Sequence, residues 1–269
     1  MNRSFHFIPA DNESYISMLS ELKADAFIFD LEDAVPAKNK KTARTNLAHF
    51  FSQYQRDKPF YIRINEAFSD DFYEDLKLLS SLPKKIGVVL PKTTGSKELE
   101  LVQKKIVHPV NIIPLIEDFN SLINIEDIVK NPSVHFIGLG VEDMLTEIPY
   151  SNESLSPLIE QIKFTLVKNA LANNVLPIDI ISTEFKNLND FEKECFKSRA
   201  MGFTAKFSIH PKQINYINTI FPPNQEEVSW AQKILNHEQN ENEGYKKHED
   251  GVLTTPPKIK KAKNIKNYE

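Results

Sequence analysis

Carboxylate side chains follow an apolar stretch near the N-terminus of the chain. The segment FIFDLEDAVP (residues 27–36) passes directly from an apolar run to Asp30, Glu32 and Asp33. Short continuous apolar runs are typical of buried strands. Carboxylates at the end of such a strand are costly unless a metal, a cation or water stabilises them. The segment therefore predicts a polar site at the end of a buried strand.

Short β-rich runs recur along the chain, and a pattern of helical spacing follows each of them. Parallel strands need crossover connections, which helices usually supply. The rival fold, an open doubly wound sheet, typically has a glycine-rich first turn, whereas the first turn here, FIPADNES, has no glycine. The pattern predicts an α/β protein with a (β/α)8 TIM barrel. The predicted strands are residues 6–10, 27–33, 59–65, 86–92, 111–118, 134–143, 176–182 and 205–211.

The composition changes after Pro222 and Pro223. We expect residues 1–223 to form the barrel and residues 224–269 to form a C-terminal helical and extended arm. The arm contains a predicted helix, a polar segment and the sequence DGVLTTPP, and we expect it to pack on a neighbouring subunit. The lysine-rich end of the chain is interpreted as a solvated helix face rather than as a phosphate or nucleic-acid site.

The active site of a (β/α)8 barrel lies at the C-terminal ends of its strands. Acidic residues dominate the side chains that the predicted strands deliver there, together with one arginine and one lysine. Crowded carboxylates raise one another's pKa unless a cation neutralises them. All-oxygen ligation favours a hard ion such as Mg2+, with Mn2+ as the substitute. The side chains are Asp30, Glu32, Asp33, Arg63, Asn65, Lys92, Glu117, Asp118, Glu142, Asp143, Ser182, Ser208 and His210.

Within this set, Glu117 and Asp143 are the best candidates for direct metal ligands. Arg63 suits a substrate carboxylate, because its planar guanidinium binds that group through two hydrogen bonds. For each acid the alternative is helix capping at the strand-to-helix turn. Lys92 keeps a Schiff-base mechanism formally open.

Other features exclude several classes of protein. The formal charge of −4 and the pI near 6.0 provide no global electrostatic argument for a nucleic-acid or membrane partner. No apolar run reaches the roughly 18 residues of a spanning helix, and the N-terminus lacks a signal-peptide pattern. We therefore expect a soluble, cytoplasmic protein. The single cysteine, Cys195, excludes an internal disulfide. In GLGVED, Asp143 replaces the third glycine of a dinucleotide-binding fingerprint.

With these residues identified, the chain resembles the citrate lyase β-subunit-like family. This family is the branch of the HpcH/HpaI aldolase superfamily that includes malyl-CoA and citramalyl-CoA lyases. The matching segments occur in the same order and extend over nearly the whole chain. They are RSFHFIPA (3–10), FDLEDAVP (29–36), YIRIN (61–65), VVLPKT (88–93), PLIED (114–118), GLGVEDM (138–144), GFTAKFSIHPKQI (202–214) and DGVLTTPP (250–257).

The resemblance implies a (β/α)8 barrel with Mg2+ on Glu117 and Asp143. It also implies that Arg63 binds the substrate carboxylate and that Glu32 and Asp33 hydrogen-bond to metal-bound water or substrate.

The aspartate of the family's C-terminal DG motif matches Asp250. In some members this aspartate reaches the active site of a neighbouring subunit as an acid or base, and such members are trimers or related oligomers. Asp30, Lys92 and Asp118 complete the set of residues expected to bind substrate.

The chain departs from the family pattern in three places. It reads Glu117, Asp118, Phe119 where the family usually has Glu-Thr-Ala, a change that affects the space beside the metal. GLGVEDM lacks the paired glycines before the Glu-Asp step, and DGVLTTPP lacks a lysine and a second aspartate.

The expected activity is Mg2+-dependent carbon–carbon cleavage of a carboxylated 3-hydroxyacyl thioester, releasing a 2-oxo acid and an acyl thioester of CoA or acyl carrier protein. The alternatives are a 2-oxo acid aldolase on free substrates, a subunit that works only within a carrier-protein complex, and a metal-binding accessory or biosynthetic protein without lyase activity.

Overall fold

Eight parallel strands close into a barrel in the order of the sequence, each strand pairing with its neighbours in the chain and β1 pairing with β8. This computed structural model describes residues 2–54, 58–82, 85–106, 108–149, 155–238, 245–248 and 251–268. The predicted (β/α)8 barrel is confirmed. The barrel strands are β1 Ser4–Pro9, β2 Ala26–Asp30, β3 Phe60–Arg63, β4 Ile86–Leu90, β5 Ile112–Ile116, β6 Phe136–Leu139, β7 Leu176–Asp179 and β8 Ala205–Ser208.

Helices connect the strands and continue after the last one. Short 3-10 turns lie at Met18–Ser20 and Ala37–Asn39. The α-helices are α1 Glu13–Ser17, α2 Lys40–Gln53, α3 Asp70–Ser81, α4 Ser96–Lys105, α5 Phe119–Ile123, α6 Ile125–Val129, α7 Val141–Thr146, α8 Ser156–Ala172, α9 Leu188–Met201, α10 Pro211–Ile220, α11 Gln225–Glu238 and α12 Pro256–Tyr268.

The strands end earlier than the sequence predicts. Strand β2 ends at Asp30 and β6 ends at Leu139, so the polar residues that follow lie in loops or in the first turn of the next helix. In place of the single helix predicted near residues 121–130, the structure has two short helices with Asn124 between them. The strand ends differ because the pairing stops at Asp30 on β2 and at Leu139 on β6, before the remaining polar residues of each predicted strand.

Apolar side chains fill the interior of the barrel. They come from alternate positions of the strands, because successive residues of a strand point to opposite faces. The buried members are Phe5, Ala26, Ile28, Tyr61, Val89, Ile113, Leu115, Ile178, Ala205 and Phe207. The barrel is therefore a packed core, and polar groups on the inward-facing positions are confined to its ends.

Aromatic rings pack α2 against the outside of the barrel. The ring of Phe29 on β2 lies 5.2 Å from Phe50 and 5.6 Å from Phe51, both on α2, and 5.6 Å from Phe60 on β3. Such contacts stabilise through burial and through ring geometry. They fix the helix that follows the acidic loop after β2.

The chain divides into two compact units, Asn2–Asn218 and Thr219–Glu269. The second contains α11, α12 and a two-stranded antiparallel pair, β9 Lys246–Lys247 and β10 Leu253–Thr254. Its apolar centre includes Ala231, Ile234 and Ala262. Within the described ranges, no helix combines the length and the apolar character needed to cross a membrane.

Candidate active site

Polar side chains occupy the layer directly above the apolar interior, at the C-terminal end of the barrel. Asp30 follows Ile28 by two residues, Arg63 follows Tyr61, and Glu117 follows Leu115. Because strand side chains alternate with a period of two, these three side chains belong to the inward-facing positions. Asp30 and Arg63 are also register partners on adjacent strands.

Arg63 is held by Asp30 through two parallel hydrogen bonds. Its Nε donates to Oδ1 at 2.8 Å and its Nη2 donates to Oδ2 at 2.5 Å. Burial acts against the charge of Arg63, but the hydrogen bonds and charge of Asp30 keep its pKa above the ordinary value. The guanidinium therefore remains positively charged and oriented, as a bidentate pair requires.

Two further acids face the same guanidinium. Nη1 of Arg63 lies 3.1 Å from Oε2 of Glu32 and 3.6 Å from Oδ2 of Asp33. Glu32 is buried, and this burial raises its pKa to about 8. The Asp33 side chain is 67% exposed. The aromatic ring of Phe7 packs 5.2 Å from the guanidinium carbon.

Glu117 is buried opposite this group, and the backbone on either side shapes its position. The amide of Lys92 donates to its Oε2 at 2.8 Å, from a residue in the left-handed region with φ 46°. Such a backbone is uncommon for a residue other than glycine. On the other side, a Cβ at Gly140 would lie 2.6 Å from Oε1 of Glu117, so only glycine leaves room for this carboxylate.

Lys92 supplies the second basic group near the site. Its Nζ lies 3.6 Å from Oε2 of Glu66 and 3.9 Å from Oε1 of Glu32. The ammonium group of Lys92 therefore lies near Oε1 of Glu32, whereas Arg63 lies near Oε2.

A cavity of about 470 Å³ opens above these residues. Its lining contains a polar, mostly acidic set of residues and an apolar set. The polar set, which we call the polar wall, consists of Asp30, Asp33, Arg63, Glu117, Glu142 and Asp143. The apolar set, which we call the aliphatic wall, consists of Phe7, Pro9, Ala34, Leu139, Val141, Ile180, Ile181 and Ile209.

Comparison with known proteins identifies the family of the chain. The model of the HpcH/HpaI aldolase/citrate lyase family matches residues 3–211. The chain belongs to this family.

Two proteins and one solved structure are similar to this chain over most of its length. The mitochondrial citramalyl-CoA lyase of Rattus norvegicus is 25% identical over 98% of this chain and 84% of the relative. A (3S)-malyl-CoA thioesterase of Cereibacter sphaeroides is 28% identical over 96% of this chain and 88% of the relative. Among solved structures, protein CitE of Mycobacterium tuberculosis in complex with magnesium, acetoacetate and coenzyme A has a TM-score of 0.80 at 22% identity, covering 99% of this chain and 97% of that chain.

Two carboxylates of this HpcH/HpaI family member have the chemistry of a small divalent cation site. Burial raises the pKa of Glu117 to about 7, and the negative charges of Asp143 and Asp33 add to this rise. A cation between the carboxylates would offset the effect. Mg2+ is usually held by one or two carboxylates, with water and substrate completing its coordination. The described residues contain no group of three or more His, Cys, Asp or Glu arranged as a cage, and such a site does not need one. The donor set fits Mg2+.

The structure gives several of the predicted residues different surroundings. Both oxygens of Asp30, expected to bind substrate, already accept hydrogen bonds from Arg63 and from backbone amides. Asp118 is the N-cap of α5, where its Oδ1 accepts from the amide of Ser121 at 2.6 Å. Neither Asp118 nor Phe119 lines the cavity. Asp250 lies outside the described residues.

Sequence reasoning placed Asn65 at the end of its strand but missed the aliphatic wall and the roles of Lys40 and Asp75 behind the acidic loop. Apolar residues at strand ends resemble ordinary core residues, so Ile180, Ile181 and Ile209 carry no signal of their own. Lys40 on α2 resembles a solvated helix lysine. Asp75 did carry a signal, because it shares the apolar face of α3 with Phe72, Leu76 and Leu79 and is itself fully buried.

Proposed function

We propose that the chain is a Mg2+-dependent carbon–carbon lyase that cleaves a carboxylated 3-hydroxyacyl-CoA thioester into a 2-oxo acid and an acyl-CoA. The observation that carries the proposal is the arrangement of Arg63, fixed by Asp30, beside Glu117 and Asp143 in one cavity. The named relatives act on CoA thioesters of this kind.

Glu117 and Asp143 would hold the metal ion. When bound, the ion supplies positive charge that stabilises negative charge developing on substrate oxygen. Asp33 is exposed and lines the same cavity, so it would be available to hydrogen-bond to water or substrate beside such an ion. Glu32 forms ion pairs with both Arg63 and Lys92 and so influences the electrostatic environment of these two basic side chains.

Arg63 binds the carboxylate of the departing 2-oxo acid. Its Nε and Nη2 already bond to Asp30. The substrate carboxylate would therefore bind at Nη1, on the edge of the guanidinium towards Glu32 and Asp33. The aliphatic wall contacts the acyl part of the substrate and limits the access of water to the reacting bond.

The proposed cleavage moves one proton at each end of the broken bond. A base takes the proton of the substrate hydroxyl, the oxygen forms the carbonyl of the 2-oxo acid, and the electron pair of the carbon–carbon bond passes to the carbon next to the thioester carbonyl, as an enolate. That carbon then takes a proton, for which Asp250 is the candidate donor. Asp250 would come from a neighbouring copy in a homo-oligomer such as a trimer.

The test is product analysis with malyl-, citramalyl- and citryl-CoA in the presence of Mg2+. A lyase releases 2-oxo acid without free thiol, which a carbonyl reagent and a thiol reagent distinguish. A thioesterase, the activity named for the Cereibacter relative, releases free thiol without 2-oxo acid. An aldolase on free substrates releases 2-oxo acid from the hydroxy acids without CoA.

Arg63→Ala is the matched variant for this test. We expect it to lose 2-oxo acid release from the thioester that the wild type cleaves, because the substrate carboxylate loses its partner. Release of 2-oxo acid at the wild-type rate by Arg63→Ala, or its absence from every thioester with the wild-type protein, would contradict the proposal.

A further inference from the structure

A network of buried polar groups lies behind the acidic loop that joins β2 to α2. The loop, residues 30–34, carries Asp30, Glu32 and Asp33, and the carbonyl oxygens of Leu31 and Glu32 accept hydrogen bonds from side chains of α2 and of the residues after β3. We call the group that contacts these carbonyls the loop support. It consists of Lys40, Asn65 and Asp75.

Lys40 contacts the loop directly from the first turn of α2. Its Nζ donates to the carbonyl oxygen of Leu31 at 3.0 Å and to that of Glu32 at 3.4 Å, and it also donates to Oδ1 of Asn65. An ammonium group shared by three oxygens forms strong, charge-assisted hydrogen bonds. One side chain therefore holds two successive peptide units of the loop.

Asn65 connects the loop to α3. Its Nδ2 donates to the carbonyl oxygen of Leu31 at 3.1 Å and to Oδ2 of Asp75 at 2.7 Å, and its backbone amide donates to the same Oδ2 at 2.8 Å. Because its Oδ1 accepts from Lys40, every polar atom of the Asn65 side chain is engaged. The amide can take only this orientation.

Asp75 anchors the support on α3. Its side chain is fully buried, and its Oδ1 accepts from Nε of Arg44 at 2.7 Å. Arg44 also bonds Oδ1 of Asp71 at 2.6 Å. A buried carboxylate with all its partners in place rigidifies its surroundings, whereas one missing partner leaves an uncompensated charge.

The Asp30 side chain and the backbone of β3 hold the loop through its amide groups. Asp30 accepts from the amides of Glu32 at 2.8 Å and Ala34 at 3.2 Å. The amide of Leu31 donates to the carbonyl of Arg63 at 2.9 Å. The Glu32 carboxylate, which lies 3.1 Å from Arg63, is therefore positioned from the cavity side by Asp30 and from the rear by Lys40 and Asn65.

We propose that Lys40, Asn65 and Asp75 are positioning residues that set the distance between Glu32 and Arg63 and so tune turnover without touching the substrate. The proposal rests on the proposed lyase function, because it assigns Arg63 to the substrate carboxylate. A displacement of about 1 Å in such a group can cost about 100-fold in rate.

The experiment compares Lys40→Met with Lys41→Met. Methionine keeps the length of the lysine side chain and removes its ammonium group. Lys41 is the next residue of the same helix and is exposed, so its replacement changes the net charge equally without touching the loop. Asn65→Ala is a second variant, which removes the hydrogen bonds of the Asn65 side chain to Leu31, Lys40 and Asp75 and leaves the Lys40 ammonium group in place.

Two readouts separate positioning from stability alone. Hydrogen–deuterium exchange of the peptide spanning residues 30–35 reports opening of the loop, and kcat with KM reports its effect on turnover. We expect Lys40→Met and Asn65→Ala to speed exchange at least about 10-fold and to lower kcat about 10- to 100-fold, with a smaller change in KM. Lys41→Met should match the wild type in both.

The outcomes distinguish this proposal from the proposed function. If the loop of Lys40→Met and of Asn65→Ala exchanges at the wild-type rate, the proposed role of the loop support is wrong, whatever the activity of the variants. Faster exchange with kcat unchanged shows that the loop moves without affecting turnover, and this also overturns it. If the wild-type protein cleaves no thioester, the lyase function fails, and the exchange experiment alone decides whether the support holds the loop.

Discussion

Asp30 and Glu117 are both buried carboxylates at inward-facing positions of the barrel, yet their partners assign them different chemistry. Asp30 accepts two hydrogen bonds from Arg63 and two from the loop backbone. Glu117 accepts a backbone hydrogen bond from Lys92 and faces the carboxylate charge of Asp143. We therefore expect a cation to bind at Glu117 and Asp143, whereas Asp30 orients the guanidinium of Arg63.

The metal site can be tested by removing each carboxylate charge. We expect Glu117→Gln and Asp143→Asn each to abolish Mg2+ binding, because a neutral amide replaces one of only two anionic donors. Isothermal titration calorimetry measures the affinity. Glu147→Gln, at the other end of α7, is the control and should bind as the wild type does. Unchanged affinity in both site variants would exclude this ligand assignment.

The carboxylate of Asp33 is exposed and lies 3.6 Å from Nη1 of Arg63. We therefore expect Asp33 to orient water or substrate rather than to bind the metal ion directly. We expect Asp33→Asn to lower kcat/KM about 10- to 100-fold, while Mg2+ affinity changes less. Steady-state kinetics and calorimetry on the same preparation give both values. Parallel losses of turnover and of metal affinity would make Asp33 a direct ligand.

At the scale of elements, the connection from β6 to α7 controls the space around Glu117. Gly140 has φ −119°, a conformation open to other residues, so an added methyl group acts through contact rather than through backbone strain. It would lie 2.6 Å from Oε1 and 2.7 Å from Cγ of Glu117.

Gly140→Ala should displace Glu117 and weaken Mg2+ binding at least about 10-fold, with the barrel still folded by circular dichroism. Gly95→Ala is the matched control, because its added Cβ meets no atom closer than 3.8 Å. Equal Mg2+ affinities of Gly140→Ala and Gly95→Ala would contradict the contact.

A buried histidine lies on β1 at the point where β1 pairs with β8 and closes the barrel. His6 has no exposed surface, and its Nδ1 lies 2.9 Å from Oγ of Ser208. Burial, with a smaller effect from His210, lowers the pKa of His6 from 6.5 to about 4. The imidazole is therefore neutral in the folded protein at pH values where it is protonated in the unfolded chain.

The sign of the pH effect follows from this difference. Between pH 6.5 and about 4 the unfolded chain binds the proton that folded His6 excludes, so the contribution of His6 to the free energy of unfolding falls as the pH falls, by at most about 3 kcal/mol. Urea denaturation of the wild type and of His6→Gln at pH 7.5, 6 and 5 measures it. The stability of His6→Gln relative to the wild type should rise as the pH falls, and exposed His49→Gln should keep the pH dependence of the wild type. Identical pH dependences for His6→Gln and the wild type would refute the assignment.

At the scale of the whole molecule, the candidate proton donor Asp250 belongs to the second unit, Thr219–Glu269. We expect Asp250→Asn to lower turnover about 100- to 10,000-fold, with the melting temperature unchanged. Glu249→Gln, the adjacent acid, is the control and should retain turnover.

Co-expression tests whether Asp250 serves another copy of the chain. Hetero-oligomers of Asp250→Asn and Glu117→Gln subunits should recover activity that neither variant has alone, because one intact site can combine Glu117 of one copy with Asp250 of another. Recovery would not occur if both residues acted within one chain.

The order of elements and the identity of the polar residues could be predicted from the sequence because they depend on local properties. Apolar runs bounded by helical patterns indicated eight strands, and alternation within each strand places residues two apart on one face. The segments DLED, RIN and LIED therefore brought Asp30, Arg63 and Glu117 to one end of the barrel. Family resemblance added the roles, and the family match is confirmed.

Only the tertiary structure decided how these residues use their hydrogen bonds. Asp30 and Arg63 are 33 residues apart in the chain, and Lys40 and Asn65 are 25 apart. Whether such residues meet depends on strand register and on the packing of α2 and α3 against the barrel, which no local pattern encodes. The sequence by itself therefore determined which charged residues follow the barrel strands, and the packing determined that Asp30 holds Arg63, Asp118 caps a helix and Lys40 supports the acidic loop.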